Sequence, residues 1–456
     1  MHESLRSKLA AQFGSSKDFI HKTLRRGESS VELFYLLTIA DEALIFQSLV
    51  NPFYNESTNL YYAEFISCMP KRVTPPDEAA TLQLVAQGYA VAIAGSDVYV
   101  FDFRKFPSSQ IREATVETVI QGPLNAFSED IGTNVALMRQ RYGPASLTME
   151  TTTVGTRIKT AVALLSDGET ANRGLVEEMK RRIQAVALPV VQSAGQLTQL
   201  LGEPKRTLFP RLLVTERPDR AALNLSQGKV VVLLHGTPFA IVAPATFYDF
   251  FASMEDLYQQ YFISRFLLFL RYAALLISLT LPATYVAISA YNPEILRVEL
   301  ALAIAGNRVA VPYPAFLEVL FMLLAMELLV EASIRLPKAI GSTATTVGGL
   351  ILGQAATEAS LVSSIMIIIV ATVAISNFVV PINSMSFAIR VAKYALLFLA
   401  TLYGLTGIVL GLIALVGYLV SLDSMGEPYL KLFEHDDQQT KPTQRSGKTG
   451  ASRRVG

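Results

Sequence analysis

Up to about Ser264, charged and apolar positions mix at the short periods of a soluble α/β protein. From Phe266 to Leu422, long apolar runs are broken only by isolated charges. The first 29 residues are polar and mildly basic, with Lys17, Lys22, Arg25 and Arg26. They read as a frayed lead-in helix with too few apolar partners to anchor at a membrane. After Ser30, VELFYLLTIA reads as a buried strand, DEALIFQSLVNPF as a helix, and AVAIAGSDVYVFDF as two strands turning at Gly95, Ser96 and Asp97. This is a first α/β subdomain over residues 30–155. Leu147 to Thr153 and Ile158 to Leu165 form a further strand pair. Glu169 to Val186 is an amphipathic helix with Leu175, Met179, Ile183 and Val186 on one face. KVVVLLHG and FAIVAPATF are short strands of a turn-rich end, so a second subdomain covers residues 156–250.

Residues 251–271 form an amphipathic entry helix, and residues 272–422 a transmembrane helical domain of about four to five spans plus a short or re-entrant helix. Arg265 and Arg271 precede the first uncharged span, Tyr272 to Tyr291, and the positive-inside rule turns them to the cytoplasm; Pro282 predicts a kink within it. Pro293 to Val311 carries Glu294, Arg297, Glu299, Asn307 and Arg308 and is the short interfacial or re-entrant helix. Pro314 to Ile334 is long enough to span yet contains Glu318, Glu327 and Glu331. A carboxylate near the bilayer centre costs roughly 2.5–3.5 kcal/mol and a large aliphatic returns about 0.3–0.6, so this helix cannot face lipid all round. Glu327, Glu331 and Arg335 share one stripe, with Glu318 about half a turn away. In the competing structural reading Glu331 pairs with Arg335 and Glu318 favours the helix N-terminus behind Pro314. Glu327 lies deeper and has no basic neighbour on its own helix closer than Arg335, so it must meet water, another subunit or an ion.

Between Lys338 and Arg390 the sole ionisable residue is Glu358. Gly341, Thr345, Gly349, Gly353 and Thr357 recur there at every fourth position and form one smooth stripe. In lipid, where hydrophobic burial cannot join helices, such a stripe is a packing seam; a Gly-rich hinge is the alternative. Leu361 to Val380 is a β-branched span stopped by Pro381. Tyr394 to Val420 is a long uncharged helix whose Ala400, Gly404, Gly407 and Gly411 offer a second close-packing face. Residues 434–456 read as a disordered polar tail, outside if the 343–359 stretch spans and cytoplasmic if it is re-entrant.

The chain has 456 residues, 51% apolar content and a formal net charge of +1, which fits a membrane protein with a soluble part attached. Cys68 is the single cysteine and the four histidines are scattered, so neither a disulfide framework nor a zinc site is expected. No phosphate loop, dinucleotide fingerprint or nucleophile elbow appears, and neither an enzymatic activity, a cofactor nor a nucleic-acid partner is expected. The N-terminus lacks the apolar core of a signal peptide, so the soluble half is expected in the cytoplasm. No internal repeat is evident.

Several stretches, in order, carry a family resemblance. They are GPLNAFSEDIGTNVALMRQR from Gly122, TVGTRIKT from Thr153, TERPDRAALNLSQGKVVVLLHGTPFAIVAPATF from Thr215, RYAALLISLTLPATYVAI from Arg271, VPYPAFLEVLFMLLAMELLVEASIRLPKAIG from Val311, GGLILGQAATEASLVS from Gly348 and, more loosely, MGEPYL from Met425. Together they make the chain similar to the A subunit of the GerA-type spore germinant receptor family. One departure is His235, which stands where an aspartate is expected before Gly-Thr-Pro. The resemblance implies a subunit of a receptor in the inner membrane of bacterial endospores. It would act with a permease-like B subunit, which chiefly recognises the nutrient, and a lipoprotein C subunit, and the A subunit would be a homo-oligomeric, channel-forming partner embedded in lipid. Three functions then compete: a nutrient-gated ion-release component, a secondary transporter or accessory using Glu327 and Glu331, and a structural scaffold. The pore or gating candidates are Glu327, Glu331, Glu318, Gln354 and Glu358.

Overall fold

The computed structural model describes residues 2–431 except 28, 56–61, 76, 96, 106–111, 203–206 and 337; the side chains of residues 2, 3, 112, 334 and 338–345 also lie outside the description. The expected tail over 434–456 is outside it as well. The fold is an N-terminal α/β part followed by a helical C-terminal part.

Helix α1 (His2–Phe13) places Leu5, Leu9 and Phe13 on one stripe, and all three are buried against Phe34, Leu36, Val91 and Ile93. The chain continues directly into β1 (Phe19–Arg26), which pairs with β2 (Ser29–Leu36) from Phe19↔Leu36 to Arg26↔Ser29. The residues read as a frayed lead-in are therefore part of the core. Three apolar residues among nine polar or small ones were too dilute to show it in the sequence. With β3 (Arg72–Val73), β4 (Ala90–Ala94) and β5 (Asp97–Phe101), they form an antiparallel sheet in the order β1-β2-β4-β5-β3. The β4–β5 turn falls at Gly95, whose φ of +59° is open to glycine without strain.

The second sheet comprises β6 (Leu147–Val154), β7 (Thr160–Asp167), β8 (Leu213–Thr215), β9 (Val230–Leu234) and β10 (Ala240–Ala243), in the order β8-β10-β9-β7-β6. Every residue of β9 is buried, as its unbroken Val/Leu run requires of a strand covered on both faces. The subdomain boundary expected at 155/156 falls inside the β6–β7 hairpin, between strands paired from Leu147↔Asp167 to Val154↔Thr160. Hydrogen-bonded strands cannot belong to different sheets, so the division lies before Leu147.

A buried ion pair joins the two sheets. Asp18 follows α1, and Arg139 lies on α2 (Ile131–Arg141); their side chains are 2% and 1% exposed and 2.6 Å apart. Ser16 and Thr38 donate to the same carboxylate, both at 2.7 Å. Arg139 also donates to the Leu147 carbonyl, and the Lys17 N–H donates to the Met149 carbonyl.

The helical part contains α3 (Tyr261–Ala290), α4 (Val298–Arg308), α5 (Ala315–Arg335), α6 (Lys338–Glu358), α7 (Ser364–Val379) and α8 (Asn383–Ser421). The entry helix and the first apolar span, expected to divide at 271/272, are one helix, α3. Its lower part is held to the α/β domain where Arg271 donates to Asp256 and to the Phe251 carbonyl. Its far end, at Tyr291, donates to the Thr401 carbonyl.

Helix α8 is not the single long rod expected over 394–420. Gly404 has φ +60° and ψ −138°, outside helical space. A Cβ on Gly407 would land on the Leu399 carbonyl oxygen, and one on Gly411 would meet the Leu396 side chain. Residues that far apart in sequence can touch only if the chain reverses, so α8 is a tight hairpin of two arms with Gly404 at its tip. Gly404 is thus a turn residue, and Gly407 and Gly411 pack one arm on the other within the same chain. Short links between α5, α6, α7 and α8 make successive helices antiparallel neighbours. Counting α3 and both arms of α8, six legs among the described residues run between the end at the α/β domain and the far end. Residues 422–430 then return to the α/β domain: Ser424 donates to the Arg211 carbonyl at 2.6 Å, Arg211 to the Asp423 carbonyl at 2.9 Å, and the Phe247 N–H to the Tyr429 carbonyl at 2.9 Å. Taken as continuous helices among the described residues, α3 and α8 are long and apolar enough to cross a membrane.

Candidate functional site

The charged interior of the helical part is built from residues far apart in sequence. Glu327 sits midway along α5, and both of its carboxylate oxygens are taken from across the bundle. Arg390 on α8 donates through Nε at 2.8 Å and through one terminal nitrogen, and Lys393, one turn further on, donates at 2.9 Å. The Lys393 side chain is 2% exposed. Glu327 therefore does not need water, another subunit or an ion to answer its charge, because two cations of its own chain do so. Sequence reasoning looked for its partner along the same helix, but α5 and the first arm of α8 meet side by side. The available signal was a lone mid-span carboxylate and an i, i+3 basic pair on another otherwise uncharged span.

Glu318 occupies a second buried position, nearer the far end. Its Oε1 accepts from the backbone N–H of Ser363 at 2.7 Å and from the Ser363 hydroxyl at 2.6 Å. Ser363 caps α7, so the carboxylate adds its charge to a helix N-terminus. Arg308, the last residue of α4, lies 3.4 Å from Oε2. The Tyr285 hydroxyl, Arg308 Nε and Glu318 Oε2 are buried there without hydrogen-bond partners. Glu331 is different: it is 57% exposed and pairs with Arg335 at 2.6 Å, one helical turn on. The three glutamates of α5 thus occupy three separate settings.

On α6, the side chains of Gly341 and Thr345 lie outside the described residues. A Cβ on Gly349 would stand 4.0 Å from Leu329 of α5, and one on Gly353 3.9 Å from Ile367 of α7. Both are ordinary contacts with movable side-chain ends. The Thr357 hydroxyl donates to carbonyls of its own helix. An adjoining face of α6, about 100° round the helix from the glycine stripe, is exposed and carries Thr346, Leu350, Gln354 and Glu358 at successive i+4 positions.

An α/β domain of two antiparallel sheets is thus strapped at both ends to an apolar helical bundle with ion pairs in its interior. The chain belongs to the Bacillus/Clostridium GerA spore germination protein family, whose model matches residues 7–445. It is 35% identical to spore germination protein GerLA of Bacillus cereus over 86% of this chain and 77% of that one. It is 32% identical to spore germination protein B1 of Bacillus subtilis strain 168 over 92% and 89% of the two chains, and 33% identical to GerQA of Bacillus cereus over 94% and 86%. Among solved structures, the N-terminal domain of the A subunit of the Bacillus megaterium spore germinant receptor GerK3 aligns with 53% of this chain and 94% of that one, at 25% identity and a TM-score of 0.42.

Proposed function

We propose that this chain is the A-type subunit of a nutrient receptor in the spore inner membrane, and that several copies together form a nutrient-gated ion-release path. It acts with a permease-like B subunit and a lipoprotein C subunit. On this reading the six legs each cross the membrane, and the α/β domain and residues 422–430 lie together on its cytoplasmic side. The carrying observation is the outward side of α6, where Gln354 and Glu358 look away from the chain's own bundle. Polar groups turned out from an apolar helix are costly against hydrocarbon, and copies arranged about an axis would turn them toward water. Glu327 is not part of this path, since two cations outweigh its charge. The transporter reading also loses its coupling carboxylates, because Glu327 and Glu331 are both ion-paired. No catalytic step is proposed.

The test is nutrient-triggered release of monovalent ions from spores carrying Gln354→Leu or Glu358→Gln at parental protein abundance. Slowed or nutrient-independent release is expected. Parental kinetics in both variants, with a monomeric purified chain, would overturn the proposal.

A further inference from the structure

The charges around Glu327 do not balance. One carboxylate faces two cations, Arg390 and Lys393, leaving one positive charge in excess. Beside them, between α5, α7 and the first arm of α8, is a cavity of about 30 Å³ bordered on one side by Glu327, Asn377, Ser386, Arg390 and Lys393 and otherwise by apolar side chains of α5 and α7. That is room for a water or a single halide ion and too little for a phosphate ester.

The hydrogen bonds around the cavity favour the ion. The Glu327 oxygens already accept from Arg390 and Lys393. The Asn377 side-chain oxygen accepts from the Ser278 hydroxyl at 2.5 Å, and its backbone carbonyl accepts from the Ser386 hydroxyl at 3.0 Å. Among the lining groups the donors left over, two N–H of the Lys393 ammonium, one terminal nitrogen of Arg390 and the Asn377 amide group, outnumber the acceptors left over, the Ser386 hydroxyl oxygen and one carboxylate lone pair of Glu327. A water would answer some of these donors and none of the excess charge, whereas an anion answers both. An unmatched charge inside an apolar bundle is costly, and that cost favours an occupant of opposite sign.

We infer that this cavity binds one small monovalent anion of the halide class, held by Arg390, Lys393 and the Asn377 amide. The inference stands apart from the ion path on α6, since it uses none of the same residues and survives if that path is wrong.

The experiment is thermal unfolding of the full-length purified chain in lipid nanodiscs, comparing potassium chloride and bromide with potassium gluconate at equal ionic strength. Halide should raise Tm by a few degrees, on the order expected when a ligand exceeds its Kd about tenfold. The shift should saturate and should be indifferent to exchanging potassium for sodium or choline. Lys393→Gln leaves a balanced Arg390–Glu327 pair and should abolish the shift. Asn377→Asp keeps the acceptor for Ser278, supplies the missing negative charge, and should abolish it too, which keeps the test decisive if the first variant does not fold. A parental Tm indifferent to halide overturns the inference. So does a shift that follows the cation, or one that persists in a folded variant.

Discussion

In the α/β domain, Asp18 and Arg139 are almost wholly buried, yet each oxygen of the carboxylate accepts from Arg139 and from a hydroxyl, and the guanidinium also reaches a backbone carbonyl. In the bundle, Glu327 is outnumbered by cations, and Glu318 Oε2, Arg308 Nε, Tyr285 Oη and Tyr394 Oη are buried without hydrogen-bond partners. Among the described residues, neither sheet contains such an atom, and the one other case, Tyr429, belongs to the returning strap. The two regions therefore use buried charge differently. The α/β half closes its ion pair completely and gains a rigid joint between sheets. The bundle leaves charge and hydrogen-bonding capacity open, and in a low-dielectric setting open capacity selects for ions or for partner groups.

The comparison can be broken most directly by removing one partner from each site. Arg139→Met leaves Asp18 buried and unanswered and should cost about 3–5 kcal/mol of stability, read by thermal unfolding of the purified chain. Glu327→Gln leaves two cations facing each other and should cost a similar amount, but chloride should recover part of that loss and none of the loss at Arg139. Equal chloride responses at both sites would mean that the two regions hold buried charge alike.

Acid tests the closed joint alone. Burial pushes the Asp18 carboxyl up, but the Arg139 charge and the hydrogen bonds from Arg139, Ser16 and Thr38 outweigh it and hold the carboxyl below its ordinary value of 3.8. A carboxyl depressed in the folded state adds stability that is fully present above its unfolded value and is lost as pH falls through its folded one. The parental chain should lose this contribution below about pH 4, whereas Arg139→Met, which lacks it, should show a shallower acid decline. An equal decline in both would assign acid sensitivity elsewhere.

A smaller contrast separates the glycines. Gly407→Ala would drive a methyl into the Leu399 carbonyl and should cost on the order of 1–3 kcal/mol or more, with loss of the helical hairpin. Gly349→Ala meets only the end of Leu329 and should stay within about 0.5 kcal/mol. If both are tolerated in unfolding measurements, the two arms of α8 are not closely packed. Glu331→Gln should be comparably small: an exposed pair one turn apart is worth about 0–1 kcal/mol, and its loss should vanish at high salt.

Much of the fold was legible because hydrophobic period is a local property. The strands at Ser29–Leu36, Ala90–Ala94, Asp97–Phe101 and Val230–Leu234, and the change to apolar helices after Ser264, could be read from neighbouring residues alone. The family motifs were legible for the same reason. The core role of α1 was missed because its apolar positions are few, and a sparse stripe gains meaning only from the surface it meets. The reversal at Gly404 was missed because glycines spaced along a helix read as a packing face, and a φ of +60° at one of them leaves no mark on the pattern.

The sequence by itself determined the division into an α/β half and an apolar helical half, and it singled out Glu327 as a charge that could not face lipid. The tertiary structure decided what that charge meets. Arg390 and Lys393 lie more than sixty residues away, and the Coulomb energy between groups depends on their distance in space and the medium between them. Only the side-by-side packing of α5 on α8 brings that distance to hydrogen-bond length, so only the folded chain could turn an apparent ion site into an ion pair with positive charge to spare.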